Sequence, residues 1–218
     1  DGALNWTRVL TPGLGIYALA AVGSMVYAGA WDIYGGSPSI FVSCDSGVSW
    51  TAVFSYPRMI AWNAAAVDHG NSQLAMMGGY LDDASLGVRR GMLYRTSDGG
   101  LTWTPALTPT TSNAGGVVNE VLIHPITHTL WLASVYDHMT GDSTIYRSQD
   151  AGLTWPYSST LEDTGANSLT VHPLQPGTLY AGAGHKIITA GSQGRVFRSS
   201  DAGLSWTLVF TQGGLVAV

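Results

Sequence analysis

Four aspartates, Asp32, Asp82, Asp83 and Asp137, stand close in sequence to aromatic residues and could do chemistry on a sugar. Most glycoside hydrolysis needs two carboxyl groups, one to protonate the leaving oxygen and one to attack or to activate water. Near them lie Trp31, Tyr34, Tyr80 and Tyr136, whose rings offer flat apolar faces with a polar edge. Arg89, Arg90, His138 and His185, with Lys186, add cationic or titratable groups, and Asp142 adds a further carboxylate. These residues fall in the stretches that read as connections, where binding groups are usually carried on a rigid scaffold. Turn-forming residues also collect in such stretches for purely structural reasons, so the same residues read equally as solvated loops.

The histidines tempt a metal reading. His69, His124 and His172 recur at one point of successive repeats, in Asp68-His69-Gly70, Ile123-His124-Pro125 and Val171-His172-Pro173, so they diverge from one another and read as turn or packing residues. No Cys/His cluster, Ser-His-Asp spacing or phosphate-cradling glycine loop leading into a helix is present. Neither a metal nor a cofactor is expected.

The elements that must position these groups follow from one octapeptide that returns four times: SCDSGVSW from Ser43, TSDGGLTW from Thr96, SQDAGLTW from Ser148 and SSDAGLSW from Ser199. Its aspartates, Asp45, Asp98, Asp150 and Asp201, are 53, 52 and 51 residues apart. A degenerate copy, Asp1-Gly2-Ala3-Leu4-Asn5-Trp6, opens the chain. The pattern S/T-x-D-x-G-x-S/T-W reads as a stapled hairpin. The carboxylate accepts turn N–H groups. Gly47, Gly100, Gly152 and Gly203 take the unusual backbone angles, and Trp50, Trp103, Trp155 and Trp206 bury rings between neighbouring sheets.

Around each hairpin the same strands recur. In the last unit they run over 168–172, 178–182, 195–199 and 204–210. The second strands align as Met25–Gly29, Leu74–Gly78, Leu130–Ala133 and Leu179–Gly182, and the third as Phe41–Ser43, Tyr94–Thr96, Tyr146–Ser148 and Phe197–Ser199. Four strands per period of about fifty residues, with no long helical periodicity, predict an all-β β-propeller of four-stranded antiparallel blades.

On these octapeptides the chain resembles the Asp-box (BNR) repeat superfamily, which includes sialidases, xyloglucanases, sortilin-type receptors and assembly factors of photosystem II. The resemblance spans the whole chain and implies the fold more than an activity, because the box is shared by enzymes and binding proteins. The sialidases of that group use an arginine triad, a tyrosine paired with a glutamate, and an Arg-Ile-Pro motif. Here the tripeptide is missing, glutamate occurs only as Glu120 and Glu162, and Arg95, Arg147 and Arg198 sit at one repeated position beside the box. Those arginines read as serving each blade rather than one ligand, and xyloglucanase likeness remains only as overall pattern.

Blades are expected over about 11–54, 58–107, 116–159 and 165–211, within a single propeller segment spanning 1–218. Residues 1–10 read as the outer strand of a preceding blade and 214–218 as the start of a following one. Joined together they would make a blade lacking its middle strands, with unpaired edges. An incomplete ring, completed by further blades of the same or another chain, is therefore expected, with a closed four-bladed ring as the alternative.

The formal net charge of −5, with eight arginines and one lysine, supplies no stripe to neutralise phosphates, so nucleic acid is not expected as a partner. No apolar run is long enough for a membrane span, and the single cysteine, Cys44, allows no intrachain disulfide. Asn5-Trp6-Thr7 is a formal glycosylation sequon. The function expected is a non-catalytic interaction scaffold that presents its connection-rich rim to protein or glycan within a larger assembly. Placement outside the cytoplasm, extracellular or periplasmic, is what the resemblance implies. The alternative is a secreted glycoside hydrolase of the xyloglucanase type, recognised by saccharide release lost on Asp32→Ala or Asp137→Ala. A photosynthetic assembly factor has thinner support, since the arginines are scattered.

Overall fold

The computed structural model describes residues 8–9, 15–31, 38–83, 87–108, 116–184 and 193–212. Among them every regular element is a β-strand. Sixteen strands form four antiparallel meanders, which we term blades 1 to 4. Blade 1 contains β1 (Gly15–Val22), β2 (Met25–Trp31), β3 (Ser39–Ser43) and β4 (Thr51–Ser55). Blade 2 contains β5 (Met59–Asp68), β6 (Asn71–Asp83), β7 (Val88–Thr96) and β8 (Thr104–Leu107). Blade 3 contains β9 (Gly116–Ile123), β10 (Trp131–Asp137), β11 (Ser143–Ser148) and β12 (Tyr157–Leu161). Blade 4 contains β13 (Ala166–Val171), β14 (Leu179–Ala183), β15 (Gly194–Ser199) and β16 (Thr207–Gln212). Blades 1 and 2 are also joined into one sheet through a single bridge, Trp31 to Ala61. The terminal part-blades expected over 1–10 and 214–218 lie outside the described residues, apart from Arg8 and Val9, which belong to no strand.

The blades pack face to face in chain order because strand alternation gives each an apolar layer on both sides. Tyr27, Ile40, Trp62, Met77 and Tyr94 fill the layer between blades 1 and 2. Met76, Leu93, Val118, Val121 and Trp131 fill the next, and Leu132, Ile145, Leu179, Ala181 and Phe197 the last. Each large side chain buried in these layers contributes roughly 1.5–3 kcal/mol.

All four hairpins between third and fourth strands have the same internal geometry. In the second, Asp98 Oδ1 accepts the Thr102 N–H at 2.9 Å and the Thr96 hydroxyl at 2.8 Å, and Thr96 Oγ1 accepts the Gly100 N–H at 2.9 Å. The hydroxyl of Thr102 donates to the other carboxylate oxygen. Equivalent bonds staple Asp45 to Ser43 and Ser49, Asp150 to Ser148 and Thr154, and Asp201 to Ser199 and Ser205. Bonds donated to the charged form favour it. The Ser49 hydroxyl and N–H and the Ser43 hydroxyl hold Asp45 at about 2. Thr102 and Thr96 do the same for Asp98, and Thr154 for Asp150 with help from Ser148, each at about 2. For Asp201 burial is the largest single effect and acts upward, yet Ser205 and Ser199 together bring it to about 2.

The hairpin glycines take φ of 87°, 90°, 77° and 87° at Gly47, Gly100, Gly152 and Gly203. The residue before each also has positive φ, 62° at Ser46, 75° at Gly99, 56° at Ala151 and 57° at Ala202, so the turn holds two consecutive left-handed residues. The tryptophans are less uniform than their shared register suggests. Trp103 is buried and meets Tyr27 edge-on at 6.1 Å, whereas Trp50, Trp155 and Trp206 are half-buried. Trp50 Nε1 donates to the Gly47 carbonyl at 2.9 Å.

Side chains also tie each blade to the next. Arg95 Nε donates to the Ala151 carbonyl at 2.8 Å, and Arg147 Nε to the Ala202 carbonyl at 2.7 Å. These repeated arginines thus grip the following hairpin. The Tyr27 hydroxyl donates to Ser72 O at 2.7 Å, and His124 Nε2 to Pro176 O at 2.8 Å. His124 Nδ1 accepts the Ile126 and Thr127 N–H groups, and His172 Nδ1 accepts that of Leu174, so these two histidines cap turns. At the corresponding point of blade 2 the cap is Asp68, whose carboxylate accepts the Gly70 N–H and pairs with His128 Nδ1 of blade 3.

Candidate functional site

In an antiparallel meander the first and third turns share one end and the second turn lies at the other. The stapled hairpins therefore occupy one end of every blade, and the tips of second and third strands the opposite end. There, blades 1, 2 and 3 enclose an open cleft of about 420 Å³. Trp31, at the end of β2, meets Tyr17 of β1 edge-on, with ring centroids 4.9 Å apart. Tyr80 of β6 lies under the Arg89 guanidinium at 5.0 Å, and Tyr136 of β10 meets His138 edge-on at 4.8 Å. Asn63, Val117 and Asn119 from the innermost strands complete the lining.

Five of the residues singled out from sequence, Trp31, Tyr80, Arg89, Tyr136 and His138, are thus brought together. They are strand-end residues more than loop residues, because the β6–β7 ladder continues through Leu81–Arg90, Asp82–Arg89 and Asp83–Val88 pairs. Asp82 and Asp137 do not line the cleft. Asp82 is exposed and lies 3.8 Å from Arg89 Nε, an ion pair in water worth about 1 kcal/mol or less. Asp137 is buried and accepts the Met139 N–H at 2.7 Å, so its carboxylate serves the β10–β11 turn. Arg90 alternates away from Arg89 and lines a separate depression with Tyr56, Arg58 and Leu81. Asp83 is placed in β6 by its backbone. Asp32, Tyr34, His185 and Lys186 lie outside the described residues.

Tyr17, Asn63, Val117 and Asn119 have no counterpart in the sequence reading. A signal was present for two of them. Asn63, Asn119 and Asn167 recur in the first strands, five or six residues before the turn histidines. Asn119 Nδ2 donates to Asn167 Oδ1 at 3.2 Å, and Asn167 Nδ2 to the Gly184 carbonyl at 2.9 Å, which fixes the amide row.

Chemically the cleft offers aromatic faces, amide donors and acceptors, one guanidinium and one imidazole. Its described lining contains no carboxylate. Glu120, next to Asn119 on β9, is half-buried, and burial pushes its carboxyl up to about 7. No group of three or more His, Cys, Asp or Glu residues among the described residues could hold a metal ion. Nor is any helix among them long and apolar enough to cross a membrane.

Strand count, topology and blade packing define this chain as a β-propeller segment. Solved structures support the same fold. An ancestral GH74 enzyme aligns with a TM-score of 0.63 at 17% identity, over 89% of this chain and 25% of its own. The GH74 xyloglucanase of Xanthomonas campestris aligns with a TM-score of 0.52 at 16% identity, over 90% and 38%. A nidogen/laminin complex contains a chain that aligns with a TM-score of 0.57 at 16% identity, over 90% and 65%. The chain therefore spans well under half the length of either GH74 protein. No family model matches the sequence, and no curated protein matches it.

Proposed function

We propose that this chain is a non-catalytic, extracytoplasmic propeller module of the Asp-box type that binds a glycan in the cleft between blades 1, 2 and 3. The observation that carries the reading is the gathering of Trp31, Tyr80 and Tyr136 around an open cleft with Asn63 and Asn119 at its floor. Pyranose rings present apolar C–H faces and a polar rim of hydroxyls. Aromatic faces suit the former and amides, which both donate and accept, the latter. Two carboxyl groups placed across a sugar are needed for most glycoside hydrolysis, and the described lining supplies none.

The test is calorimetric titration of the chain with soluble xyloglucan, mixed-linkage β-glucan and a uronate polymer, run beside a reducing-end assay on the same samples. Binding without saccharide release is expected. Trp31→Ala or Tyr136→Ala should weaken it about tenfold or more, as for loss of a buried aromatic contact. Absence of binding to every polymer would refute the reading.

A second reading, a glycoside hydrolase, is favoured by one group. Glu120 does not itself line the cleft but adjoins Asn119, which does, and its carboxyl, pushed up to about 7 by burial, is matched to general-acid work at neutral pH. Saccharide release that disappears in Glu120→Gln would establish it over the first.

A further inference from the structure

The cleft between blades 1, 2 and 3 does not end at Arg89 and His138. The same two side chains also line a second depression of about 320 Å³, with Gly87, Val88 and Met139. Arg89 stands near the start of β7 and His138 in the turn after β10, so the threshold between the two recesses is made by the tips of blades 2 and 3. A ligand that reaches from the cleft into the depression passes both residues.

The charge at this threshold is one-sided. The described linings of the two recesses hold one guanidinium and one imidazole and no carboxylate, in a chain of net charge −5. Two carboxylates lie near in sequence or pairing. Asp137 is buried and accepts the Met139 N–H at 2.7 Å, so it serves its own turn. Asp82, the cross-strand partner of Arg89, is exposed, and its 3.8 Å separation from Arg89 Nε exceeds a hydrogen-bond length.

Arg89 also differs from the arginines that build the fold. Arg95 and Arg147 donate to hairpin carbonyls, and Arg195 to the carbonyls of Glu162 and Asp163. Arg89 instead holds its charge 5.0 Å over the Tyr80 ring, with about half of its side chain in water. The ring fixes where the charge lies. An exposed pair as long as Arg89–Asp82 is weak and screened, so it yields to a better acceptor. A carboxylate that meets the guanidinium fork with both oxygens is such an acceptor.

We propose that the glycan bound here is acidic, a chain of uronate residues whose carboxylate is received by Arg89 with His138 beside it. Neighbouring sugars occupy the cleft on one side and the depression on the other, where Val88 and Met139 offer apolar surface to their C–H faces. This inference rests on the glycan reading of the cleft and adds the class of sugar.

Calorimetric titration of the whole chain with oligogalacturonate and oligomannuronate, each beside its methyl ester, tests it. The ester keeps every ring and loses the charge. Wild type should bind one of the acids about tenfold or more tightly than its ester, and added salt should weaken the acid alone. Arg89→Gln, an exposed change checked as native by circular dichroism, should lower affinity for that acid about 10- to 100-fold and leave the ester within about twofold. Asp82→Asn removes the competing carboxylate and should raise affinity for the acid about 1.5- to 5-fold. Equal affinity for acid and ester, or an Arg89→Gln variant that binds the acid as wild type does, overturns the proposal and leaves glycan binding in place. Binding of xyloglucan but of neither acid does the same. A sulfated oligosaccharide bound as tightly as the acids overturns the uronate assignment, and absence of binding to every one of these sugars removes both readings.

Discussion

Alanine at two equivalent glycines separates what the turn requires from what blade packing requires. Gly47 and Gly203 both have φ of 87°, so each substitution costs about 1–2 kcal/mol for a left-handed residue with a Cβ. Their surroundings differ. At Gly47 the added carbon would stand 3.7 Å from Trp50, an ordinary contact. At Gly203 it would stand 2.7 Å from Leu132 Cδ2 and 3.2 Å from Leu179 Cδ1. Both leucines are buried in the layer between blades 3 and 4 and have nowhere to move, so overpacking adds about 1–3 kcal/mol. Gly203→Ala should therefore be the more destabilising by that amount, a gap of roughly 2–12 °C in thermal midpoint for a chain of this length. Differential scanning calorimetry of both variants reads the gap. Equal midpoints would show that the turn alone demands glycine and that contact with the preceding blade does not.

Two pH dependences follow. The hairpin aspartates lie near 2 in the folded chain, below the ordinary 3.8, so the stability they contribute is complete above about 4 and lost as pH falls through 2. Acid unfolding followed by near-UV dichroism should show this loss, and Asp98→Asn should make the profile shallower over that range. Glu120 acts in the opposite sense. Its folded value of about 7 lies above the ordinary 4.5, so its contribution is complete below 4.5 and fades as pH rises through 7. Glu120→Gln should raise the midpoint at pH 8 relative to wild type and leave it nearly unchanged at pH 4; a rise of equal size at both would refute the burial account.

The architecture was legible because it is periodic. Asp45, Asp98, Asp150 and Asp201 recur with the glycine and hydroxyl partners that a stapled turn needs, and the intervening apolar alternation spells four strands. What one repeat cannot reveal is how it meets the next. Arg95, Arg147 and Arg198 share one position beside the box, yet among the described residues only Arg95 and Arg147 grip a following hairpin. The cleft was half legible. Trp31, Tyr80, Arg89, Tyr136 and His138 stood out as aromatic or charged residues at the right end of their strands. Asp137 carried the same signal but is spent on capping its own turn, a choice made by a single Asx hydrogen bond that composition does not expose. Tyr17, Val117 and the inner-strand asparagines were missed because alternation assigns each to a face of a sheet and not to the end of a strand where blades converge.

The two ends of each blade answer to different constraints, and this explains where recognition can sit. At the stapled end a carboxylate collects several hydrogen bonds, and glycines such as Gly100 and Gly203 are wedged against the preceding blade. Most substitutions there disturb a turn and an interface together. At the cleft end buried bonds also tie the blades, Trp62 Nε1 to Pro38 O at 3.0 Å and Ala166 N–H to Ser143 Oγ at 2.8 Å, but several cleft side chains lie outside these ties. Arg89 and His138 are exposed, the Arg89–Asp82 pair is at 3.8 Å, and the ring pairs Tyr17–Trp31 and Tyr136–His138 each form within one blade. Side chains at that end can change with little cost to stability, as surface positions generally do. A frame held by buried ties, with exposed side chains such as Arg89 and His138 at its cleft, is suited to hosting unrelated chemistries. The appearance of the same fold in GH74 enzymes and in a nidogen/laminin complex needs no shared activity.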